Sequence, residues 1–184
     1  MSNIYVLNTN VSGTGYVGGV MGSGSMTATN VHKVGNVTGT GSDVGGAFGY
    51  MSGTLTNVDS VGTVTVTGSN SYVGGLIGDA GSSTITTASA TGAVTASSSA
   101  YVGGLLGGFS GPSVSAVSSS GGAVSGAYAT GGLIGYMGGT STVTSANATG
   151  NVSGSYAVGG LVGWADGNLT RTLKEVYATG TVTG

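Results

Sequence analysis

Short segments of alternating hydrophobic and polar residues follow one another along this chain, separated by glycine, serine and asparagine. In one such segment Ile85 lies between Thr84 and Thr86, so on an extended chain the isoleucine points inward while both threonines point outward. Valine, isoleucine, threonine and tyrosine dominate these segments, as is typical of β-strands. The pattern predicts strands throughout, and a helix is compatible with it only over residues 169–177.

The alternating segments recur with a fixed period. A marker of the type Val-Gly-Gly-hydrophobic-hydrophobic-Gly occurs six times, once with Thr130 in place of the valine, and the first glycines of its Gly-Gly pairs are 27, 29, 29, 28 and 28 residues apart. A second marker, Gly-x-Val, follows each of them. Glycine at these positions favours a tight bend or the close approach of another backbone layer. The repeat-defining glycines are Gly18, Gly45, Gly74, Gly103, Gly131 and Gly159.

Each unit predicts three short strands, which in the third unit cover residues 72–78, 83–90 and 93–97. Because one unit buries too little apolar surface to fold alone, stacked units must share a core. The predicted fold is an all-β parallel β-solenoid (β-helix) of about six coils, with about 28 residues and three short strands per coil. We expect residues 1–184 to form a single solenoid domain, excised from a longer array because the pattern is cut at both termini.

Composition narrows the possible partners. The chain has 41 glycines but only three basic and five acidic residues, and parallel stacking explains this, since any charge would recur as a column of like charges. So few basic residues cannot neutralise a run of phosphates, and we expect no nucleic-acid partner. No apolar run approaches the roughly 18 residues of a membrane-spanning helix, and we expect no membrane insertion. Without cysteine, disulfides and thiolate metal sites are excluded.

Four of the six markers contain a Gly-Leu-hydrophobic-Gly tetrad, which begins at Gly75, Gly104, Gly132 and Gly160. These tetrads resemble the repeats named after the GLUG motif. The first two units depart from it, since valine follows Gly19 and alanine follows Gly46. The resemblance implies an extracellular or cell-surface location in bacteria and a structural role, as in the stalks and passenger regions of adhesins and some secreted proteases. The resemblance does not point to a particular ligand or to a catalytic activity.

The titratable residues do not form a recurring constellation. His32 is the only histidine, and a Ser-His-Asp arrangement with Asp43 or Asp59 of a neighbouring unit is geometrically possible, although a solvent-facing loop histidine is the simpler interpretation. Calcium-binding solenoids place an aspartate at the same position of every turn, which this chain does not. We therefore expect no enzyme, no metal site and no cofactor. The acidic residues, all at different points of the repeat, are Asp43, Asp59, Asp79, Asp166 and Glu175.

Aromatic residues recur beside the glycine marker. Three tyrosines directly precede it and form a candidate aromatic ladder: Tyr16, Tyr72 and Tyr101. A second set, Tyr50, Tyr136 and Trp164, follows it. Stacked aromatic residues are most simply a packing ladder, and the alternative is a platform on which flat sugar rings of a glycan bind.

Hydroxyl residues recur in the second segment and form the candidate binding face. On a solenoid they would make a flat grid of two columns, which resembles the Thr-x-Thr ice-binding faces of insect antifreeze solenoids. At the ends we expect the grid to degrade to Ser25-Met26-Thr27 and Asn168-Leu169-Thr170. The grid residues are Thr54, Thr56, Thr84, Thr86, Ser113, Ser115, Thr142 and Thr144.

Charged residues cluster in the last unit, at Asp166, Arg171, Lys174 and Glu175. Such a departure is typical of a terminal cap, and a local insertion is equally compatible with it. Open ends of a parallel solenoid favour end-to-end self-association into filaments.

The leading functional hypothesis is a non-enzymatic structural or binding repeat of a bacterial surface or secreted adhesin-like protein with a glycan or host-surface ligand. The alternative is an ice-binding solenoid.

Overall fold

The computed structural model of the protein describes residues 1–69, 71–98, 100–167 and 169–184. The predicted all-β parallel β-solenoid is confirmed: the described residues form strands and turns without a helix, wound into about six coils. In chain order the strands are β1 (Ser2–Val6), β2 (Val11–Gly13), β3 (Tyr16–Gly18), β4 (Met21–Val34), β5 (Val37–Gly39), β6 (Asp43–Gly45), β7 (Phe48–Val61), β8 (Val64–Val66), β9 (Ser71–Gly74), β10 (Ile77–Ala80), β11 (Ser83–Thr91), β12 (Val94–Ala96), β13 (Ala100–Gly103), β14 (Leu106–Phe109), β15 (Ser113–Ser120), β16 (Val124–Ser125), β17 (Ala129–Gly131), β18 (Ile134–Met137), β19 (Ser141–Ala148), β20 (Val152–Ser153), β21 (Ala157–Gly159), β22 (Val162–Ala165), β23 (Arg171–Ala178) and β24 (Val182–Thr183).

The described strands pair in parallel into three sheets. Sheet 1 has eleven strands and is crossed twice by most coils, sheet 2 runs β2-β5-β8-β12-β16-β20-β24, and sheet 3 runs β3-β6-β9-β13-β17-β21. The first strand predicted for each coil is therefore two strands. In the third coil β9 belongs to sheet 3 and β10 to sheet 1, and the chain turns between them at Gly75 and Leu76, directly after Gly74. The stretch where a helix was compatible with the pattern is a strand as well, β23, which pairs with β19.

The bend at the glycine marker leaves no room for a side chain. A Cβ atom on Gly74 would lie 1.9 Å from the carbonyl oxygen of Ile77, and one on Gly75 would lie 2.2 Å from the carbonyl oxygen of Gly104 in the next coil. Both distances are far below van der Waals contact. The marker therefore recurs because every coil makes the same close approach to its own turn and to the coil beside it.

Columns of identical or similar side chains fill the core. Leu55, Ile85, Val114 and Val143 lie directly above one another in sheet 1 and are fully buried. The predicted alternation at Ile85 is confirmed, since Thr84 and Thr86 on either side face solvent. A second apolar cluster lies between sheets 2 and 3 and consists mainly of valines, such as Val73 and Val94. Each added coil thus extends two parallel apolar columns.

Sheet 1 bends along a column of residues with left-handed backbone. Seven non-glycine residues at equivalent positions have φ angles between 50° and 56°, and the strand register skips this position in every coil. In the first three, the Asn30 amide donates to the Asn3 oxygen and the Asn57 amide donates to the Asn30 oxygen, both at 2.9 Å. We call this the αL column: Asn3, Asn30, Asn57, Thr87, Ala116, Ser145 and Glu175.

Candidate binding surfaces

The eight hydroxyl residues of the predicted grid lie in two parallel columns on the outer face of sheet 1. Thr54, Thr84, Ser113 and Thr142 pair in register in one column. Thr56, Thr86, Ser115 and Thr144 pair in the other. Neighbouring rungs are about 4.8 Å apart, and the two columns are about 6.7 Å apart along the strands. The face is a regular, uncharged array of hydroxyl and methyl groups.

The ends of this grid differ from the prediction. The rung before Thr54 is Thr27-Ala28-Thr29, not Ser25-Met26-Thr27. The rung after Thr142 is Thr172-Leu173-Lys174, and Asn168, assigned to that rung from the sequence, lies outside the described residues. The errors arise because the coils differ in length: the step is 27 residues before Thr54 and 30 residues after Thr142. The grid therefore gains a full threonine rung at one end and a lysine at the other.

The predicted aromatic ladder occupies one column of sheet 3, with a carboxylate in it. Tyr16 pairs with Asp43, Asp43 with Tyr72, and Tyr72 with Tyr101. The rings of Tyr72 and Tyr101 stack at 5.1 Å with 16° between their planes. Stacked rings cover each other's faces, so these two tyrosines present mainly ring edges to a ligand. This geometry favours packing over a sugar platform for Tyr72 and Tyr101.

The second aromatic set lies beside the first and joins it. Tyr136 pairs with Trp164 in sheet 1, and the Tyr136 ring is 5.1 Å from the Tyr101 ring. Tyr128 and Tyr156 stack at 5.0 Å with 4° between their planes. We call the combined surface the aromatic strip: Tyr16, Tyr50, Tyr72, Tyr101, Tyr128, Tyr136, Tyr156 and Trp164.

Two carboxyl groups replace aromatic residues within this strip. Asp43 is 7% exposed; burial and the charge of Asp79 raise its pKa to about 6, although a backbone hydrogen bond from Tyr72 acts in the opposite direction. Burial also raises the pKa of Asp79. Burial, followed by the charge of Asp79, raises the pKa of Tyr72 to about 12. The sequence signal for this pair was an aspartate at the ladder position of the second coil, which sequence reasoning missed.

His32 contacts an aspartate, as the sequence allowed. Its Nδ1 lies 2.5 Å from Oδ2 of Asp59. Ser89 is the next residue of this column, and it adjoins Asp59 instead of His32. On its other side His32 pairs with Tyr5, whose ring is 6.1 Å away. The order along the column therefore does not bring the serine hydroxyl against the imidazole, as proton transfer from a serine nucleophile requires.

The His32–Asp59 pair belongs to a longer polar column that borders a groove. We call it the polar column: Tyr5, His32, Asp59, Ser89, Ser118, Asn147 and Tyr177. Between it and the αL column lie three depressions of about 300, 240 and 400 Å³. Neighbouring depressions share lining residues, Asn57 and Asp59 in one case and Ala116 and Ser118 in the other. They form one continuous groove along the solenoid axis, the bend groove.

Lys33 is the one charged side chain among the described residues that is fully buried. Its Nζ donates a hydrogen bond to the carbonyl oxygen of Gly35 at 2.5 Å, and burial lowers its pKa to about 8. The equivalent residues in the next two coils are Ser60 and Ala90. A lysine at a position held by small residues in the coils that follow it was the sequence signal, and sequence reasoning did not use it.

One charged residue of the last coil, Arg171, supports a turn. The Arg171 guanidinium donates to the backbone carbonyls of Met137, Asp166 and Leu169, while Lys174 and Glu175 form an exposed ion pair at 3.5 Å. Strands β23 and β24 continue sheets 1 and 2 beyond this turn. Of the two alternatives from the sequence, the structure therefore favours a local insertion.

The described part of the chain holds neither a cluster of metal-binding side chains nor a membrane-spanning helix. No three histidine, aspartate or glutamate side chains there lie close enough together to hold one metal ion. No helix of the length and apolarity needed to cross a bilayer is present among the same residues.

The fold and these surfaces define a β-solenoid repeat module, in which each coil repeats the same turns and columns. The family model of the GLUG motif matches residues 154–183. This segment contains β21, β22, β23 and β24 and so spans one full coil. The match identifies a GLUG repeat in this chain, consistent with a GLUG-repeat protein. No curated protein and no solved structure matches the chain.

Proposed function

We propose that this chain is a non-enzymatic structural repeat of a bacterial surface or secreted adhesin-like protein, in which it acts as a stiff spacer. The observation that carries the proposal is the unbroken parallel pairing of all three sheets from the first coil to the last. With about 4.8 Å per strand, six coils form a rod about 29 Å long. Such a rod holds whatever is attached to its two ends at a fixed separation.

The proposed absence of catalysis is supported by the geometry of the titratable groups. His32 is engaged by Asp59, and Lys33 is enclosed in the core and bonded to a backbone carbonyl. Asp43 pairs with Tyr72, and Asp79 pairs with Tyr50, so both carboxyl groups lie beside tyrosines of the aromatic strip. Each of these groups is thus held by contacts within its own coil or with a neighbouring coil.

The proposed location is tested with an antibody raised against the purified chain. It should label intact cells of the source organism, or precipitate the protein from their medium. Labelling that appears only after permeabilisation contradicts the surface location. A scattering measurement of the monomeric species tests the rod itself: the maximum dimension should fit a compact solenoid, and a much larger value for the monomer would contradict a stiff spacer.

End-to-end assembly into fibres is a second part of the proposal, supported by the edges of the terminal coils. Among the described strands, β1 pairs only with β4, and β23 pairs only with β19. The edge of β23 includes Leu173, which continues the buried column of Val143 but is 47% exposed. An open strand edge beside exposed apolar surface favours pairing with another chain.

Electron microscopy and sedimentation of the purified chain test this assembly. Leu173→Lys places a charge at the inward-facing edge position and should abolish it. Thr172→Lys, one residue away on the outward face, is the matched control and should assemble like the parent chain. A monomeric parent chain at high concentration would refute fibre formation and leave the spacer role untouched.

Ice binding is a second candidate function, favoured by the extension of the hydroxyl grid to Thr27 and Thr29. Thermal hysteresis and ice recrystallisation assays test it. Thr84→Lys interrupts the grid at its centre and should abolish activity, whereas Thr95→Lys, on an exposed position of sheet 2, should retain it. Inactivity of the parent chain at high concentration, or equal activity of both variants, would end this interpretation.

A further inference from the structure

Most of the polar groups that line the bend groove are uncharged. On one side the αL column contributes side chains such as Asn30, Asn57 and Ser145, and on the other the polar column contributes Ser118 and Asn147. Amides and hydroxyls both donate and accept hydrogen bonds. Since successive rungs are about 4.8 Å apart, the polar column presents a polar side chain to a ligand at every coil, and the αL column adds a second one except at Ala116.

The floor of the groove is apolar and shallow. Val58, Ala88, Val117 and Ala146 line it and are themselves almost fully buried. The charged groups along the groove are few. The His32 ring is held by Asp59, and Glu175 at the far end accepts a hydrogen bond from Ser145 at 3.0 Å.

An exposed tyrosine stands at each end of the groove. Tyr5 is 70% exposed and Tyr177 is 56% exposed, and both belong to the polar column. These rings differ from Tyr72 and Tyr101, which stack on each other and so cover their own faces. An exposed ring beside polar groups offers an apolar face and a hydroxyl to a ligand with both kinds of surface.

We propose that the bend groove is a binding site for a linear, uncharged polysaccharide that lies along the solenoid axis. Its seven-residue polar column gives a length of about 29 Å at the strand spacing, and the repeat of an extended pyranose chain is close to that spacing. Hydroxyls of successive sugars meet the two polar walls, and the sugars at the two ends of the groove stack on Tyr5 and Tyr177.

The groove fits this ligand better than a peptide or a polyanion. The strands that cross its middle, such as β11 and β15, are paired on both sides, so an extended peptide finds no open backbone edge to join. A polyanion needs a row of cations, and the groove lacks one among its lining residues. The inference is independent of the spacer role, since a rod can bind a glycan or fail to bind one.

The first experiment measures binding of defined oligosaccharides to the purified chain by calorimetry and by NMR. The probes are the hexasaccharides of β-1,4-glucan, β-1,3-glucan, xylan and mannan, with hexagalacturonate as the charged comparison and the corresponding disaccharides as length controls. We expect one neutral hexasaccharide to bind at least tenfold more tightly than its disaccharide, because only the longer chain spans several rungs. Failure of all four neutral hexasaccharides at millimolar concentration, or preference for hexagalacturonate, would overturn the proposal.

The second experiment places the site on the molecule. Tyr177→Ala should weaken binding about tenfold, since one stacking partner of the terminal sugar is lost. Tyr156→Ala is the matched control, because Tyr156 is similarly exposed at the same end but belongs to the aromatic strip. An equal loss in both variants, or a loss in Tyr156→Ala alone, would assign the ligand to another surface and refute the groove.

A third pair of variants blocks the groove at its midpoint. Ser118→Trp fills the point where two of the depressions meet and should abolish hexasaccharide binding, while Ser115→Trp, on the hydroxyl grid of the same strand, should not. Circular dichroism verifies that each variant is folded. If Ser118→Trp does not fold, the Tyr177 and Tyr156 pair decides; a folded Ser118→Trp variant that binds like the parent contradicts the proposal.

Discussion

Replacement of Thr87 by asparagine should stabilise the solenoid. Thr87 lies in the αL column with a φ angle of 55°, a conformation that is strongly disfavoured for β-branched residues and tolerated by asparagine. The three N-terminal positions of the column are asparagines joined by amide hydrogen bonds. The side chain of Asn57 lies in the coil before Thr87, so the amide of an asparagine at position 87 would donate to the Asn57 Oδ1. The row of amide hydrogen bonds would then continue by one coil.

The expected gain follows from two contributions. Relief of the left-handed strain is worth about 1 kcal/mol, and an exposed hydrogen bond to Asn57 adds about 0.5 kcal/mol. For a chain of 184 residues, each kcal/mol raises the melting temperature by about 2–4 °C, so Thr87→Asn should raise it by about 3–6 °C. Thr87→Gly removes the strain without adding the hydrogen bond and also loosens the unfolded chain, so its gain should be smaller.

Calorimetry and thermal unfolding followed by circular dichroism measure this change. The matched control is Thr86→Asn, one residue earlier on the exposed extended part of the same strand, which should alter the stability by about 0.5 kcal/mol or less. The reasoning is refuted if Thr87→Asn leaves the melting temperature unchanged or lowers it. It is also refuted if Thr86→Asn stabilises the protein equally.

Three further predictions concern the core, the strip and the glycine marker. Because burial holds the pKa of Lys33 near 8, below its unfolded value, the parent chain should gain about 3 kcal/mol of unfolding free energy between pH 8 and 10.5; Lys33→Met should remove this gain, and an unchanged slope would contradict it. The raised pKa of Asp43, about 6, means that stability is lost as pH rises from about 4 to 6; denaturant titrations should show a smaller loss in Asp43→Asn, and an equal loss would contradict the assignment. A Cβ on Gly104 would lie 2.2 Å from the carbonyl oxygen of Gly132, so Gly104→Ala should cost more than about 2 kcal/mol in the same titration, and a neutral result would show that the coils can move apart.

The sequence predicted the features that every coil shares. The Gly-Gly marker gave the period, and alternation at Thr84, Ile85 and Thr86 gave the inward and outward faces. It failed where coils differ in length, as at Thr27, because the register depends on residues added or removed in turns. It also missed the left-handed column, since asparagine gives way to threonine, alanine, serine and glutamate there and no residue type marks the backbone angle. The bend groove depends on that column, so no reading of residue types alone could have found it.

The direction of the hydrogen bonds has a mechanical consequence. Strands lie across the rod and their backbone bonds run along it, so tension on the two ends pulls coils apart one after another, each held only by its neighbours. A coil adds about 4.8 Å to the folded length, yet its chain of about 28 residues stretches to about 95 Å when drawn out. A load strong enough to open a coil would therefore lengthen the molecule in steps of about 90 Å. The folded coils therefore form a short, stiff rod, but the chain of each coil becomes about twenty times longer than the coil itself when force unfolds it.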